Sequence, residues 1–212
     1  METQFLQRRW LDCDTYFSQF CLSNIFYFPL LDLSFQPFPV IETDRLILRE
    51  VTLDDAEAFF QLRTNIDAMR FLDKYLPKKI EEIQELIGKI IEGIQKNESI
   101  GWAICMKGNP SLLGTIGYHR IYKEHYRAEI GYMLQPAYWN KGIMSEAITK
   151  ILDFGFNNMK LHSIEAHINP NNDASKSILK KFKFIKEAYH KENYFFNGKF
   201  LDTEIYSLLR NQ

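Results

Sequence analysis

Three strand-like segments in succession, with no helical pattern between them, limit most strongly what this chain can fold into. They read "SIGWAICMK", "LLGTIGYHRIY" and "YRAEIGYML", and the polar segments "GNPS" and "KEH" separate them. Apolar β-branched and aromatic residues between clusters of turn-forming residues are typical of β-strands. Because connections this short join adjacent antiparallel strands, the pattern predicts a three-stranded meander.

Helical and strand-like patterns alternate on both sides of the meander. Before it, "RLILREV" alternates like a strand, Thr52 to Asp55 resembles a capping box at a helix start, and a helix with one apolar face is predicted from Pro77. After it come a helix from Ser145 to about Asn157, the strand "HSIEAHI", a helix from about Asp173 and a hairpin with Asn-Gly in "YFFNGKF". The order predicts a mixed α/β fold, an α+β sheet of about seven strands with helices packed on it.

Composition and charge exclude several classes of partner. The 26 basic and 27 acidic residues give a formal net charge of -1, which provides no general field for nucleic acid or an anionic membrane. The three cysteines show no metal-binding spacing, so we expect no metal site and a reducing, cytoplasmic location. The uncharged run from Thr15 to Leu31 contains Ser, Gln, Asn and Pro and follows two aspartates, which argues against both a signal peptide and a membrane span.

The N-terminal segment reads differently from the rest of the chain. Residues 1–38 are crowded with aromatic side chains that show no clear periodicity, whereas residues 39–212 carry the strand and helix patterns. We interpret residues 1–38 as an extension and residues 39–212 as one domain. The extension is either an arm that packs on its own domain or one that packs on a partner subunit, which leaves a homodimer open. The alternative is that residues 1–38 result from a start codon placed too early or from cloning.

The stretch "WNKGIMSEA" joins the meander to the next predicted helix. A helix start offers several backbone N–H groups without a partner inside the helix, and the helix dipole makes that end partly positive. Gly142 allows close approach of a ligand to the backbone, and Lys141 adds a positive charge. The joint is therefore a candidate anion site. Ser145 either contributes to that site or simply caps the helix.

Four segments together carry a family resemblance: "ETDRLILREVTLDDA", "AEIGYML", "AYWNKGIMSEA" and "INPNNDASKSILKKFKF". In this order and spacing they resemble the GNAT superfamily of N-acetyltransferases, and within it the branch that acetylates ribosomal-protein N-termini. The likeness covers residues 39–209. It implies a twisted, mostly antiparallel central sheet with helices on both faces, in which the fourth predicted strand splays from the fifth. It also implies acetyl-coenzyme A as co-substrate and a primary amine as acceptor.

The resemblance implies roles for particular residues of this sequence. The pyrophosphate of acetyl-coenzyme A would be held by Trp139, Asn140, Lys141, Gly142, Ile143, Met144 and Ser145, and its pantetheine arm by the backbone of Met133 and Leu134, with Asn169 and Asn172 as further contacts. Ser175 would pass a proton to the departing thiolate.

Two residues depart from the family pattern. Asn140 stands where glycine is usual but tolerates positive φ, whereas the bulky Met144 replaces a small residue.

The sequence offers two candidate residues for the general base, and both are carboxylates. Glu129 in "AEIGYML" and Glu165 in "SIEAHI" could each take a proton from an ammonium group through water. Glu129 matches the branch's strand glutamate, so the resemblance favours it. Each of the three proposed catalytic residues has an alternative role: Glu129 as a structural hydrogen-bond partner, Asn172 as an N-cap and Ser175 as a plain surface residue.

The expected activity is therefore acetyl transfer from acetyl-coenzyme A to an amine in a ternary complex, with a protein N-terminal α-amine as the first acceptor to test. Polyamine, small-molecule and antibiotic amines are the alternatives within the same architecture. A module that binds acyl-coenzyme A without turnover is the alternative from another class. Nucleotide-binding folds of the Rossmann and P-loop types are excluded because neither glycine-rich motif is present.

Overall fold

The computed structural model of the chain describes residues 31–210, and residues 1–30 and 211–212 lie outside that description. The helices are α1 (Ala56–Thr64), α2 (Ile66–Met69), α3 (Ile80–Gln95), α4 (Ile143–Asp153) and α5 (Asp173–Lys181). The strands are β1 (Ile41–Glu42), β2 (Leu46–Glu50), β3 (Ile100–Met106), β4 (Asn109–Tyr122), β5 (Arg127–Leu134), β6 (Ser163–Ile168), β7 (Ile185–Phe196) and β8 (Lys199–Leu209).

The strands form one sheet in the order β1-β2-β3-β4-β5-β6-β8-β7. Every neighbouring pair is antiparallel except β5 and β6, which are parallel. The predicted meander is β3, β4 and β5, and the Asn-Gly hairpin joins β7 to β8. The sheet has eight strands where about seven were predicted. The difference is β1, which spans two residues and is too short to show an alternating pattern.

The parallel pair β5 and β6 separates along its length. Pairing runs from Arg127 with Ser163 to Glu129 with Glu165 and ends there. The remainder of β5, up to Leu134, stays paired with β4 but has no strand on its other side. The predicted splay between these two strands is confirmed. It leaves a wedge in the sheet beside backbone groups that make no ladder hydrogen bond on that side.

Helices cover both faces of the sheet, as predicted. Successive residues of a strand point to opposite faces, so Trp102 and Ala103 of β3 face different cores. Trp102 packs in the core that contains Ile148 and Ile151 of α4, and Ala103 packs in the core that contains Phe59 of α1. The apolar face predicted for the second helix is confirmed in α3, where Ile83, Ile87 and Ile94 are buried.

Residues 31–39 pack against their own domain. Leu31, Leu33 and Phe35 are buried in the same core as α4. The Phe35 N–H donates to Asn97 Oδ1 at 2.9 Å, and Trp102 Nε1 donates to the Pro39 carbonyl at 2.7 Å. The last residues of the predicted extension therefore form an arm on the domain. The predictions about residues 1–30, including most of the uncharged run, lie outside the described residues.

The predicted helix starts were accurate at the capping box and wrong at two other positions. The capping box is confirmed, because the Thr52 N–H donates to Asp55 Oδ2 at 2.9 Å at the turn that leads into α1. The helix expected from Pro77 begins at Ile80 instead. Helix α4 begins at Ile143 with Gly142 as its N-cap, so the interpretation of Ser145 as a cap is wrong. Within residues 31–210, no helix is both long and apolar enough to cross a bilayer.

Candidate active site

Two cavities meet at the wedge between β5 and β6. The first, here called the α4 cleft, has a volume of about 470 Å³ and lies between the end of β5 and the first turns of α4 and α5. The second, here called the sheet groove, has a volume of about 730 Å³ and lies on the sheet beside α1. The two cavities share four wall residues, Phe71, Leu72, Tyr132 and Met133.

The loop before α4 forms one wall of the α4 cleft and presents backbone donors to it. Asn140 has φ 58° and Gly142 has φ 76°, both in the left-handed region that glycine adopts easily. Asn140 thus takes the conformation expected of the family's glycine. The first hydrogen bond of the helix runs from the Glu146 N–H to the Gly142 carbonyl at 3.0 Å. The preceding N–H groups therefore lie before the helical ladder, at a positive helix end.

An ion pair made by Arg45, the residue before β2, holds this loop in place. Arg45 donates from Nε to Glu146 Oε2 at 2.7 Å and from Nη1 to the Lys141 carbonyl at 3.1 Å. The Arg45 backbone N–H also donates to Glu146 Oε1 at 3.0 Å, and Thr43 donates to the same carboxylate. Burial acts to raise the pKa of Glu146, but the hydrogen bonds from Thr43 and Arg45 outweigh it and the pKa is lowered. The segment "ETDRL" thus fixes the loop from outside the cleft.

Side chains of the loop region point in different directions. Met144 is 7% exposed and packs in the core, so its bulk is directed mainly away from solvent, although it still lines the cleft. Lys141 is absent from the cleft wall, and its ammonium lies 5.5 Å from the centre of the Tyr138 ring. Ser145 Oγ accepts a hydrogen bond from Lys181 Nζ at 3.0 Å. Lys181 therefore brings a positive charge to the loop from α5.

The start of α5 forms the opposite wall of the α4 cleft. Asn172 is the N-cap of α5, and its Oδ1 accepts from the Ser175 N–H at 3.0 Å. Ser175 also lines the cleft, close to Tyr132. The Tyr132 hydroxyl is buried and makes no hydrogen bond of normal geometry with the described residues. Burial raises the pKa of Tyr132 to about 12, and the Ser175 side chain offsets part of that effect.

Glu129 lies in the sheet groove with a histidine that the sequence interpretation missed. Glu129 Oε2 lies 3.2 Å from Arg120 Nη1 and 4.0 Å from His167 Nδ1. The other ring nitrogen, His167 Nε2, lies 3.3 Å from Glu165 Oε1. Both predicted base candidates thus flank one imidazole. Alternation within "SIEAHI" places Glu165 and His167 on one face of the strand. This spacing is the sequence feature by which His167 could have been found.

These three side chains also have donor types that could bind a metal ion, with ligand atoms within 4.8 Å of one another. Arginines already neutralise both carboxylates, because Arg127 Nε lies 3.6 Å from Glu165 in addition to the Arg120 pair on Glu129. The histidine presents different nitrogens to the two glutamates. The three side chains therefore form a cluster of titratable groups around one imidazole, with an arginine beside each carboxylate.

The far wall of the sheet groove is made by β7 and by the segment between α2 and α3. Tyr194 donates a hydrogen bond to Asp73, and Asn169 Nδ2 lies 3.4 Å from the same carboxylate. Asn169 thus lines the sheet groove and not the α4 cleft. Its predicted contact with the cofactor stays a prediction. The ring of Tyr75 packs 4.8 Å from that of Phe196, which holds the segment over the groove.

The structure therefore divides the predicted site residues between the two cavities. Glu129 and Asn169 line the sheet groove, and Lys141 lines neither cavity. The α4 cleft brings together Met133, Leu134, Trp139, Asn140, Gly142, Ile143, Met144, Ser145, Asn172 and Ser175. Trp139 closes the end of β5, because its Nε1 donates to the Leu134 carbonyl at 2.8 Å. Backbone donors and a nearby lysine fit an anionic pyrophosphate, and the wedge beside β5 fits an extended amide arm.

Comparison with known proteins gives the same assignment. The acetyltransferase (GNAT) domain family matches residues 45–185 of this chain. The uncharacterised N-acetyltransferase YoaA of Bacillus subtilis is 37% identical over 173 residues, which cover 82% of this chain and 98% of YoaA. The crystal structure of a GNAT-family acetyltransferase from Bacillus anthracis superposes with a TM-score of 0.73 at 28% identity, over 82% of this chain and all of that one.

A further solved structure is the ribosomal L7/L12 α-N-protein acetyltransferase RimL in complex with coenzyme A. It has a TM-score of 0.73 at 21% identity and covers 81% of this chain and 98% of its own. At that identity the likeness concerns the fold. The fold and family predicted from the four sequence segments are confirmed, and this chain belongs to the GNAT family of acetyl-coenzyme A-dependent N-acetyltransferases.

Proposed function

We propose that this enzyme acetylates the α-amine of a protein or peptide N-terminus, with acetyl-coenzyme A in the α4 cleft and the acceptor in the sheet groove. The observation that carries the proposal is the shared wall at Tyr132 and Met133. A thioester at the inner end of the α4 cleft and an amine at the inner end of the sheet groove would meet there. Direct attack in a ternary complex needs only this junction, because no residue has to carry the acetyl group between distant sites.

Binding of the co-substrate follows from the loop and the wedge. The N–H groups of Ile143, Met144 and Ser145 and the charge of Lys181 would hold the pyrophosphate. The edge of β5 at Met133 and Leu134 would pair with the amides of the pantetheine arm, as an added strand does, apart from the Leu134 carbonyl, which already accepts from Trp139. Asn172, which caps α5 through Oδ1, keeps its side-chain amide N–H available to that arm.

The proposed chemistry needs a base, a polarised carbonyl and an acid. The acceptor ammonium would lose a proton to Glu129 through water, with His167 and Glu165 as the next positions for that proton. Acetyl-coenzyme A supplies an activated acyl group with a thiolate as leaving group. Backbone N–H groups at the end of β5 would stabilise negative charge on the carbonyl oxygen. Ser175, next to Tyr132, would protonate the departing thiolate as the new C–N bond replaces the C–S bond.

Charge in the sheet groove favours a peptide acceptor over a polyamine. A polycation needs a groove with a clear excess of acids, but among the described residues three cations, Arg63, Lys74 and Arg120, line this groove together with its three acids. Glu129 pairs with Arg120, Asp73 accepts from Tyr194, and Asp202 accepts from Tyr189. A single ammonium beside Glu129 fits this arrangement. Small-molecule amines and a non-catalytic acyl-coenzyme A module stay as alternatives.

The location that we propose is cytoplasmic. The sequence has only three cysteines, and their spacing does not suggest a disulfide framework.

Calorimetric titration and an acceptor screen test the proposal in two stages. Acetyl-coenzyme A is expected to bind the wild type with micromolar affinity and to bind Gly142→Val at least tenfold more weakly, because valine is strained at φ 76°. Mass spectrometry then follows acetylation of N-terminal peptides, spermidine and small amines. Acetylated peptides support the proposal, and acetylated spermidine alone would assign the polyamine alternative. Binding without any transfer would indicate the non-catalytic module.

A further inference from the structure

One arginine in the sheet groove has no partner among the residues that the structure describes. Arg63 lies in the last turn of α1 and lines the groove with its side chain half-buried. Its Nε is buried and finds no hydrogen-bond acceptor among residues 31–210. No carboxylate of the described chain lies within ion-pair distance of its guanidinium either. A buried, charged donor without an acceptor is costly to a folded protein unless a ligand supplies one.

The acids of the same groove cannot supply the missing partner. As described above, Glu129, Asp73 and Asp202 are each engaged by another side chain. Burial lowers the pKa of Arg63, and no neighbouring acid counteracts it. A helix C-terminal turn is a favourable place for a cation, but no carbonyl of α1 accepts a hydrogen bond from Arg63 Nε. Arg63 is therefore a half-buried cation of the groove for which residues 31–210 provide no ion-pair partner.

Arg63 and Glu129 lie near the same histidine. The pKa of His119 is lowered by burial, raised by Glu129, and lowered by Arg63 and Arg120. His119 itself is held against Gly131, where a Cβ would lie 2.4 Å from its ring. The base candidate, the cation and this fixed ring thus all line the sheet groove. An acceptor that carries an ammonium and, a short distance away, an anion matches this pair of charges.

We propose that Arg63 binds a carboxylate of the acceptor, so that the preferred acceptor is an α-amine with a carboxylate close by in the same molecule. This inference rests on the proposed function and narrows its substrate class. A guanidinium suits a carboxylate because its planar fork can donate two parallel hydrogen bonds. The carboxylate is either the side chain of an acidic residue just after a peptide N-terminus or the α-carboxylate of a free amino acid.

Matched acceptors test the inference on the full-length enzyme. Peptides with Asp or Glu at one of the second to fourth positions are compared with the same peptides carrying Asn or Gln, and free amino acids are compared with their amides. The wild type is expected to prefer the acidic member by at least tenfold in kcat/KM. Preference within the peptide series assigns a side-chain carboxylate, and preference confined to amino acids assigns the α-carboxylate.

Two variants make the test specific to Arg63. Arg63→Gln is expected to abolish the preference mainly by raising KM for the acidic acceptor, while acetyl-coenzyme A affinity stays unchanged because Arg63 does not line the α4 cleft. Arg63→Lys is expected to restore part of the preference. Lys74→Gln removes an exposed charge from the same groove and should leave the preference intact.

The outcomes separate this inference from the proposed function. If no amine is acetylated, the proposed function itself fails. If neutral and acidic acceptors are acetylated equally, or if Lys74→Gln has the same effect as Arg63→Gln, the proposed function stands and the role of Arg63 is overturned.

Discussion

Asn172 and Ser175 are joined by one hydrogen bond, from the Ser175 N–H to Asn172 Oδ1 at 3.0 Å. The two residues that the resemblance implies for cofactor binding and proton transfer are therefore coupled through the first turn of α5. Replacing the asparagine both removes a cleft side chain and loosens the turn that carries the serine. A loss of activity in Asn172→Ala alone would not distinguish these effects.

Asn172→Asp separates the cap from the cofactor contact. Aspartate caps a helix as well as asparagine, whereas alanine costs about 1 kcal/mol of stability. We expect Asn172→Ala to lower the melting temperature and Asn172→Asp to preserve it. Both should raise KM for acetyl-coenzyme A, because neither has the amide N–H. Normal kinetics in Asn172→Asp would show that the residue acts only as a cap.

Ser175→Ala should affect the chemical step. We expect kcat to fall by about 100-fold, the lower end for general acid–base catalysis, because a thiol with a pKa of roughly 8.5 is a fair leaving group. Acetyl-coenzyme A affinity, measured by calorimetry, should be unchanged. Tyr132→Phe is the comparison, since it removes the neighbouring hydroxyl. If Tyr132→Phe rather than Ser175→Ala slows the reaction, the proton donor is the tyrosine.

Arg45→Ala should weaken acetyl-coenzyme A binding from outside the cleft. The change frees the Lys141 carbonyl and Glu146, so the loop loses its fixed shape. We expect a dissociation constant about tenfold higher, which corresponds to roughly 1.4 kcal/mol. Lys107→Ala removes another exposed cation, paired with Glu42 at 3.2 Å, and serves as control. Equal effects of both changes would mean that the loss of a positive charge, and not the loss of the loop contact, weakens acetyl-coenzyme A binding.

Acid should destabilise the enzyme partly through Glu146. Its pKa is lowered in the folded state, so folding favours the charged carboxylate at pH above 4.5 and loses that contribution as pH falls through the lower folded value. Because Arg45 is half-exposed, the contribution should be about 1 kcal/mol or less. Melting temperatures of wild type and Glu146→Gln should therefore differ at neutral pH and converge in acid. A constant difference across pH would contradict this.

Gly155→Ala tests the packing beneath α4. A Cβ there would lie 2.2 Å from the buried Tyr118 hydroxyl, which donates to the Ile151 carbonyl at 2.7 Å. We expect a loss of about 1–3 kcal/mol in unfolding free energy, as for other overpacked cores. Gly88→Ala in α3 is the control, because its Cβ would meet nothing within 4 Å. That change should stabilise the protein by up to about 1 kcal/mol. Denaturant unfolding measures both.

Local pattern alone determined most of the architecture. Alternation and turn residues predicted β3, β4 and β5, the capping box at Thr52 and the closing hairpin. Each of these depends on contacts within a few residues, which a single sequence shows directly. The helix-start loop at Gly142 was predictable for the same reason, because positive φ and free N–H groups are local properties.

Tertiary structure decided which of these local features share a site. The sheet places Glu129 beside His167, and Asn169 lies against Asp73 in the wall of the sheet groove and not in the α4 cleft. The unpaired state of Arg63 depends on where every acid of the groove finds its partner. Such pairings join residues up to 121 positions apart, as between Asp73 and Tyr194, and no sequence period encodes them. They arise only when the sheet and its helices bring distant side chains within hydrogen-bond distance.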